Sequence, residues 1–467
     1  MEKIRVRIAP SPTGFMHVGT ARLALFNYAF AKQRQGSLVL RIEDTDTERS
    51  KKEYEGAIFA GLKWLSIIPD EGPEKGDVFG PYRQSERADL YKRALETLLQ
   101  KRAVFYCSHA AASEEEHLIH WCEDYNKNLS SGILRFKTPR DRNIIFQDII
   151  RGEVEFSTET IGDFSVARSI DSPLYHFAVV VDDYLMKISH ILRGEDILPS
   201  TPKHILMQEA LGYQIPLYGH LPLVLGPDRS KLSKRHGPTS LLEFREKGYL
   251  PEALLNFLAL LGWNPGTDNE IFSVADFIKD FSLEKVQKSG AIFDFAKLDW
   301  MNGEYIRQKS VKELAELVKP FLEKSGVFQV LSNQLPVTDD YLEKIIALEQ
   351  PRLKKLSEIG ERTDYFFKDP EYDKELLRWK KMADEELCLS LDKSIQIVSD
   401  TNLEFTRLAL EKRFLEEIGT GDKGSVLWPL RAALSGKKAS PGPFELMDVL
   451  GQEETLKRLK RAREIFV

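Results

Sequence analysis

The segment Arg7-Ile-Ala-Pro-Ser-Pro-Thr-Gly-Phe-Met-His-Val-Gly-Thr20 constrains the fold more than any other, because its prolines and glycines stand between a strand signal and a helix signal. Ile4-Arg-Val-Arg-Ile8 alternates with period two, and Ala21 to Ala31 reads as a mostly buried helix. Gly36 stops that helix, and Ser37-Leu-Val-Leu-Arg-Ile42 reads as a second buried strand. A strand–helix–strand unit crosses over right-handed and makes its strands parallel. Ligands of such sheets sit beyond the carboxyl ends of the strands, which places Arg7 to Thr20 and Glu43 to Asp46 on one rim.

Residues 81–174 break this pattern. They carry Gly/Pro interruptions, a polar stretch from Ser108 to Ser131 and short alternating runs such as Ile133–Lys137 and Glu153–Ser157, so they read as an insertion. Apolar segments return at Phe177–Val181 and His190–Arg193, followed by a helix-like Lys203–Leu211 and a strand-like Leu221–Leu225. The first sheet is expected to resume there. Further on, Val311, Leu314, Leu317, Val318, Phe321 and Leu322 share one helical face, and similar spacing recurs to the C-terminus, which predicts a separate all-helical domain. The length of 467 residues, at roughly 150 per domain, leaves room for about three domains.

Composition narrows the partners. With 66 basic and 72 acidic residues the formal charge is −6, so no general basic field surrounds the chain. Any nucleic acid must be met by local patches or by oriented backbone dipoles. The absence of a long apolar run, and a start at Met1-Glu-Lys-Ile-Arg without an apolar core, predict an unprocessed chain with no membrane partner. Cys107, Cys122 and Cys388 are too few for a disulfide framework, which points to a reducing, cytoplasmic setting.

Two segments carry chemistry. The turn at 7–20 opens a helix whose first amides present about half a positive charge to an anion, and a triphosphate is the expected guest. Gly19 lets a flat base approach the backbone, and His17 can donate to phosphate oxygens as charge builds there. The plainer reading is a Gly-Pro loop before a capped helix. The second segment, Asp228-Arg-Ser-Lys-Leu-Ser-Lys-Arg-His-Gly237, suits a mobile loop that closes over polyphosphate, with Lys231 and Lys234 meeting a leaving pyrophosphate. Its plainer reading is a solvated basic loop.

Together the two segments resemble the paired signatures of class I aminoacyl-tRNA synthetases, and the whole chain resembles the bacterial-type glutamyl-tRNA synthetases. The resemblance rests on R-I-A-P-S-P-T-G with H-V-G-T at 7–20, R-I-E-D-T-D-T-E-R-S at 41–50, G-P-Y-R-Q-S-E-R at 80–87 and V-V-V-D-D at 179–183. It continues through L-R-G-E-D at 192–196, K-L-S-K-R at 231–235, G-Y-L-P-E-A-L-L-N at 248–256 and P-L-R-A-A-L-S-G at 429–436. It implies an α/β fold: a split Rossmann-like doubly wound parallel-sheet domain at 1–80 and 175–235, interrupted by an α+β acceptor-binding insertion at 81–174. A stem-contact helical domain at 236–310 and an all-α anticodon-binding domain at 311–467 would follow.

The implied reaction is ATP-dependent ligation of L-glutamate to tRNA(Glu) by a monomer, through a glutamyl-adenylate, with transfer to the terminal 2′-hydroxyl. ATP and Mg2+ are the implied cofactors. The resemblance assigns ATP to Pro10, Ser11, Thr13, Gly14, His17, Gly19, Thr20, Lys231, Ser233, Lys234 and Arg235, of which His17, Lys231 and Lys234 are catalytic. It assigns glutamate to Arg7 and Arg193 for carboxylates, Glu43 and Ser11 for the ammonium, and Tyr175 for the side-chain pocket. Without that context Arg7 and Arg193 read rather as structural ion-pair partners of Glu43 or Asp196, and the motif context reverses that reading. An arginine on the distal carboxylate rejects glutamine, whose neutral amide leaves a buried charge underpaired.

Some members of the family hold a structural zinc through Cys-x-Cys and Cys-x-His pairs. Here Cys107-x-His109 and His120-x-Cys122 offer ligand types adequate for tetrahedral Zn2+, although each side keeps a single cysteine. The alternative is buried thiols with surface histidines on a helix rich in Glu114, Glu115 and Glu116. For the RNA, Arg352 is the anticodon contact the resemblance suggests. Arg352 to Lys355, Arg378 to Lys381 and Lys457 to Arg463 are the basic clusters, each also readable as a solvated helix face. Three rivals remain: an enzyme that activates glutamate for a modified nucleoside and lacks the helical domain, a glutaminyl-tRNA synthetase, and a non-catalytic paralogue.

Overall fold

In a computed structural model the chain is described at residues 3–76, 78–109, 119–326 and 338–466; Glu114, Glu115 and Glu116 lie outside these residues. The first strand–helix–strand unit is present as expected. Strand β1 (Arg5–Ile8), helix α1 (Val18–Gln33) and strand β2 (Ser37–Leu40) follow one another, and β1 runs parallel to β2 with Arg5 opposite Ser37 and Ile8 opposite Leu40. Every residue of both strands is buried, as in parallel sheets covered on both faces. The period-two arginines of β1 therefore do not face water. Arg5 forms an ion pair with Glu71, and Arg7 pairs with Asp183 at 3.1 Å.

The segment expected to be an insertion divides between two sheets. Strands β3 (Val104–Cys107), β4 (Ile133–Phe136), β7 (Phe164–Ser169) and β8 (Ser172–Pro173) form an antiparallel sheet of their own. The hairpin of β5 (Asn143–Asp148) and β6 (Gly152–Ser157) instead joins the resumed sheet, in the order β6-β5-β10-β9. There β9 (His190–Gly194) and β10 (Leu217–Leu221) are parallel, and Asp148 stands opposite Tyr218. The amide of Ser189 donates to the Arg5 carbonyl at 3.0 Å, tying the start of β9 to β1.

Two expectations for the resumed sheet are corrected. Phe177–Val181 lies in helix α4 (Tyr175–Leu185), buried from Phe177 to Asp183; a run that is apolar all round carries no period to distinguish a buried helix from a buried strand. The strand-like Leu221–Leu225 is not one strand. Pro222 has no N–H to extend the ladder, so β10 ends at Leu221, and Val224–Leu225 forms β11, paired with β12 (Ala291–Ile292). The helix at Lys203–Leu211 is present as α5 (Thr201–Leu211), closed by Gly212 at φ 75°.

The chain separates into two compact units, residues 1–245 with 251–298, and residues 246–250 with 299–467. Among the described residues past 310 the second unit is helical, with segments at Val311–Lys324, Asp339–Glu349, Ile359–Phe367, Asp384–Val398, Arg407–Ile418, Lys423–Ser435 and Pro443–Glu464. In the first of these Leu314, Val318 and Leu322 are buried as the pattern requires, but Leu317 is 37% exposed and falls on the rim of the stripe. Among the described residues no helix is long and apolar enough to cross a membrane.

Candidate active site

The two chemical segments meet. His17, Gly19 and Thr20 from the start of α1, and Lys231, Ser233 and Lys234 from the basic loop, line one cavity of about 480 Å3 with Gly194, Asp196 and Thr239. Backbone bonds bring them together. The Val18 amide donates to the Thr239 carbonyl at 2.8 Å, the Leu241 amide donates to the Met16 carbonyl at 2.9 Å, and His17 bridges Ser240. Glu243 holds that return by accepting the amides of Thr239 and Ser240, each at 2.9 Å.

The helix end is less open than its sequence suggests. The Val18 amide is spent on Thr239, and the Gly19 amide donates to His17 Nδ1 at 3.0 Å. A Cβ on Gly19 would stand 3.3 Å from that nitrogen and crowd the cap. With Nδ1 accepting, a neutral His17 carries its proton on Nε2. Burial, and then the nearby Lys231 charge, lower its pKa, so the imidazole enters as a neutral hydrogen-bond donor. Lys231 Nζ rests on Asp196 Oδ2 at 2.9 Å. Pro10, Ser11, Thr13, Gly14 and Arg235 do not line this cavity: Pro10 is buried, Ser11 and Thr13 are exposed, and Arg235 pairs with Asp228 at 3.3 Å.

Behind Gly194, β9 leads into a buried charge cluster. Arg7 and Arg41 both bind Asp183, at 3.1 and 2.7 Å, and Arg41 also binds Glu43 at 2.9 Å. Asp182 takes Arg87 at 2.6 Å with Gln84 and Tyr91 at 2.9 Å each. The expected structural pairs are thus replaced: Asp183, not Glu43, holds Arg7, and Asp196 belongs to Lys231. Burial raises the Glu43 pKa against the pull of Arg41, whereas at Asp183 the two arginines outweigh burial and lower it. Arg7, Arg41 and Arg87 balance Glu43, Asp182 and Asp183 in charge.

Arg193 is the surplus. Among the described residues no carboxylate lies within ion-pairing distance of it, and its donors go to neutral acceptors: Nε to His220 Nε2 at 3.0 Å, Nη1 to His204 Nδ1 at 3.1 Å, Nη2 to Thr201 Oγ1 at 2.8 Å. Its guanidinium lies over the Tyr218 ring, 5.2 Å from the centroid, and the residue is 4% exposed. A buried cation with no counter-charge is costly unless an anion arrives. Tyr175 starts α4 beside this cluster; the Glu43 charge, followed by burial, pushes its phenol well up, with Arg193, Arg7 and Arg41 pulling the other way. Sequence reasoning missed Asp183, Arg41, Asp196, Thr239, Thr201, His204 and His220. Only R-I-E-D, V-V-V-D-D and L-R-G-E-D marked part of this set, as motif members, and only Asp196 was given a role, as a structural ion-pair partner.

The four candidate zinc ligands also converge. Cys107 Sγ lies 3.4 Å from His109 Nδ1, 3.7 Å from His120 Nε2 and 3.5 Å from Cys122 Sγ, and all four ligand atoms fall within 4.8 Å of one another. Tetrahedral Zn–S and Zn–N bonds imply ligand–ligand edges of about 3.3–3.8 Å. The donor set therefore fits the ion. Asp163 accepts the Cys122 amide at 2.9 Å and Asp124 accepts the Ser108 amide at 2.8 Å, fixing both arms.

In the second unit most of the basic residues at the three clusters are already paired. Arg378 meets Glu375 at 3.0 Å, Lys355 meets Asp299 at 2.7 Å, and Lys457 and Arg461 meet Asp369 at 3.0 and 3.3 Å. Arg352 differs. It lies 3.5 Å from Glu349, and its buried Nη1 has no hydrogen-bond partner. Burial, and then the charge of Arg352, lower the pKa of Arg431, which lies over Trp428, 4.6 Å from the ring centroid. Nothing in the sequence signals that Arg431 lies near enough to Arg352 for their like charges to repel.

Comparison with known proteins gives two family matches, the catalytic domain of class I tRNA synthetases (E and Q) over residues 3–300 and an anticodon binding domain over residues 313–463. A glutamate–tRNA ligase of Moorella thermoacetica is 42% identical, covering 99% of this chain and 98% of that one. One of Carboxydothermus hydrogenoformans is 43% identical, covering 98% and 99%. The crystal structure of a glutamate tRNA ligase from Elizabethkingia meningosepticum in complex with its amino acid superposes at TM-score 0.86 with 34% identity over 100% of both chains. That of Elizabethkingia anophelis superposes at 0.85 with 36% identity, covering 99% and 100%.

Proposed function

The chain belongs to the class I tRNA synthetases (E and Q), and from that premise we infer that it attaches L-glutamate to tRNA with ATP, as part of translation. The observation that carries this reading is the shared cavity of His17, Lys231 and Lys234, lined by Gly194, which follows Arg193, a buried cation with no ion-paired carboxylate among the described residues. The match over 313–463 separates the chain from an activating enzyme without a helical domain.

The finer reading is as follows. Glutamate's α-carboxylate attacks the α-phosphorus of ATP, pyrophosphate leaves, and the acyl group passes to the terminal 2′-hydroxyl of tRNA(Glu). Positioning and charge stabilisation suffice for such chemistry. His17 Nε2–H donates to a phosphate oxygen. Lys231 exchanges Asp196 for phosphate, and Lys234 neutralises the leaving pyrophosphate. Magnesium accompanies ATP as part of that substrate and screens its charge. Arg193 and Arg7 receive the carboxylates, Glu43 and Ser11 the ammonium, and Tyr175 walls the side chain. Cys107, His109, His120 and Cys122 would hold Zn2+, which would clamp the end of β3 to the segment at 120–122, a purely structural role. Arg352 and Arg431 contact the anticodon, and the enzyme acts in the cytoplasm as a monomer.

The test is charging of purified tRNA(Glu) and tRNA(Gln) with labelled glutamate or glutamine, with and without ATP. Expected is ATP-dependent glutamate charging that Lys234→Ala lowers by about two to three decades. Charging by glutamine in place of glutamate overturns the reading of the amino-acid site.

A further inference from the structure

Arg193 is oriented by buried side chains. Its Nε–H points at His220 Nε2, 3.0 Å away, and His220 Nδ1 lies 2.6 Å from Asp148 Oδ2. A carboxylate only accepts hydrogen bonds, so Nδ1 must carry the imidazole proton. Nε2 is then a bare acceptor aimed at the guanidinium. The opposite tautomer, or the imidazolium, would set an N–H against the N–H of Arg193. Burial and the Arg193 charge act against protonation of His220, in the direction this arrangement needs.

Asp148 is itself held rigidly. Its Oδ1 accepts the amides of Ile150 at 2.9 Å and Arg151 at 2.8 Å, closing the turn of the β5–β6 hairpin. The remaining donors of Arg193 are set in the same way. Nη2 donates to Thr201 Oγ1, whose own hydroxyl lies 3.1 Å from His220 Nε2, and Nη1 donates to His204 Nδ1. A guanidinium has five N–H donors. Neutral acceptors take one on each nitrogen, leaving one N–H on each terminal nitrogen, with the full charge uncompensated.

We propose that Asp148 and His220 are positioning residues for glutamate binding: Asp148 fixes the His220 tautomer, and His220 fixes Arg193 as an uncompensated fork for a substrate carboxylate. The proposal rests on the reading of Arg193 as a glutamate ligand. A neutral relay suits the task because a carboxylate placed directly on Arg193 would repel the substrate it has to bind. Asp148 belongs to β5, a strand of the segment otherwise expected to serve the tRNA acceptor end, and β5 reaches the site by pairing with β10.

The experiment compares Asp148→Asn, His220→Leu, His220→Gln and Arg193→Gln in the full-length enzyme, measuring KM for glutamate and for ATP together with kcat. Asp148→Asn and His220→Leu should each raise KM for glutamate at least tenfold with KM for ATP within twofold. His220→Gln, whose amide oxygen can replace Nε2 as acceptor, should recover most of that loss. Histidine 15N NMR of the unsubstituted enzyme, assigned with His220→Gln, should show the Nδ1–H tautomer. An Nε2–H tautomer overturns the proposal, and so does an unchanged KM for glutamate in both Asp148→Asn and His220→Leu. If Arg193→Gln itself leaves that KM unchanged, the assignment of the glutamate site has failed first. If a variant does not fold, the tautomer measurement decides alone.

Discussion

His17 Nδ1 accepts the amide proton of Gly19 at 3.0 Å, so one ring nitrogen caps helix α1 and the other takes no part in the cap. The cap and the proposed phosphate contact separate by substitution. Asparagine caps a helix well but has no counterpart of the distant N–H. His17→Asn should therefore keep the thermal midpoint within a few degrees and lower kcat for ATP–pyrophosphate exchange by about two to three decades. A variant with normal exchange would confine His17 to capping.

Acid should loosen the catalytic unit through its buried imidazoles. His176 is brought to about 4 by burial, reinforced by Lys203 and Arg193, and His204 lies well below its ordinary value from burial and the Arg193 charge. Unfolded, both titrate near 6.5. The native state thus holds fewer protons than the unfolded chain, so the contribution is complete above about pH 6.5 and is lost as pH falls through the depressed values. Each group adds a slope of at most about 1.4 kcal/mol per pH unit. Urea midpoints measured from about pH 7.5 down to 5 should fall, and His176→Gln should flatten that fall; parallel curves would remove His176 from the effect.

Metal content should follow the four converging ligands. The purified protein should carry a single zinc per chain, and Cys107→Ala or His120→Ala should lose it and lower the thermal midpoint by several degrees. Since no catalytic group is among the ligands, chelation should act through stability, with KM for ATP little changed. Elemental analysis showing no zinc in protein prepared without chelators would refute the site.

In the helical unit, Arg352→Ala and Arg431→Ala should each raise KM for tRNA by roughly tenfold or more, within the ~1–3 kcal/mol that a lost base contact costs. KM for glutamate and ATP should not move. Lys457→Ala, whose charge is already held by Asp369 and Glu454, should have a much smaller effect, under threefold. Equal effects of all three on tRNA would argue for diffuse attraction in place of a specific contact.

Much of this was legible in one dimension. The turn at 7–20 announced a strand, a capped helix and a parallel partner, since proline and glycine restrict or free the backbone locally, and those elements stand where expected. What misled were signals with no local content. Phe177–Val181 is helical, not extended, because uniform burial erases periodicity, and the Leu221–Leu225 strand is cut by Pro222, which leaves Val224–Leu225 to another partner. The period-two arginines of β1 gave no sign of being buried, since their counter-charges lie at Glu71 and Asp183.

The sequence by itself determined the kinds of group available: the His-x-Gly turn, the paired lysines, the cysteine–histidine pairs and the arginines. Their backbone settings follow from steric rules that act over a few residues. Only the tertiary structure decided which groups meet and in what charge state. Within this cluster, pairing of carboxylates with three arginines leaves Arg193 with no ion-paired carboxylate among the described residues, and the Asp148–His220 contact sets which imidazole nitrogen faces it. Coulomb forces and desolvation act through space, not along the chain, so charge balance is a property of the folded arrangement.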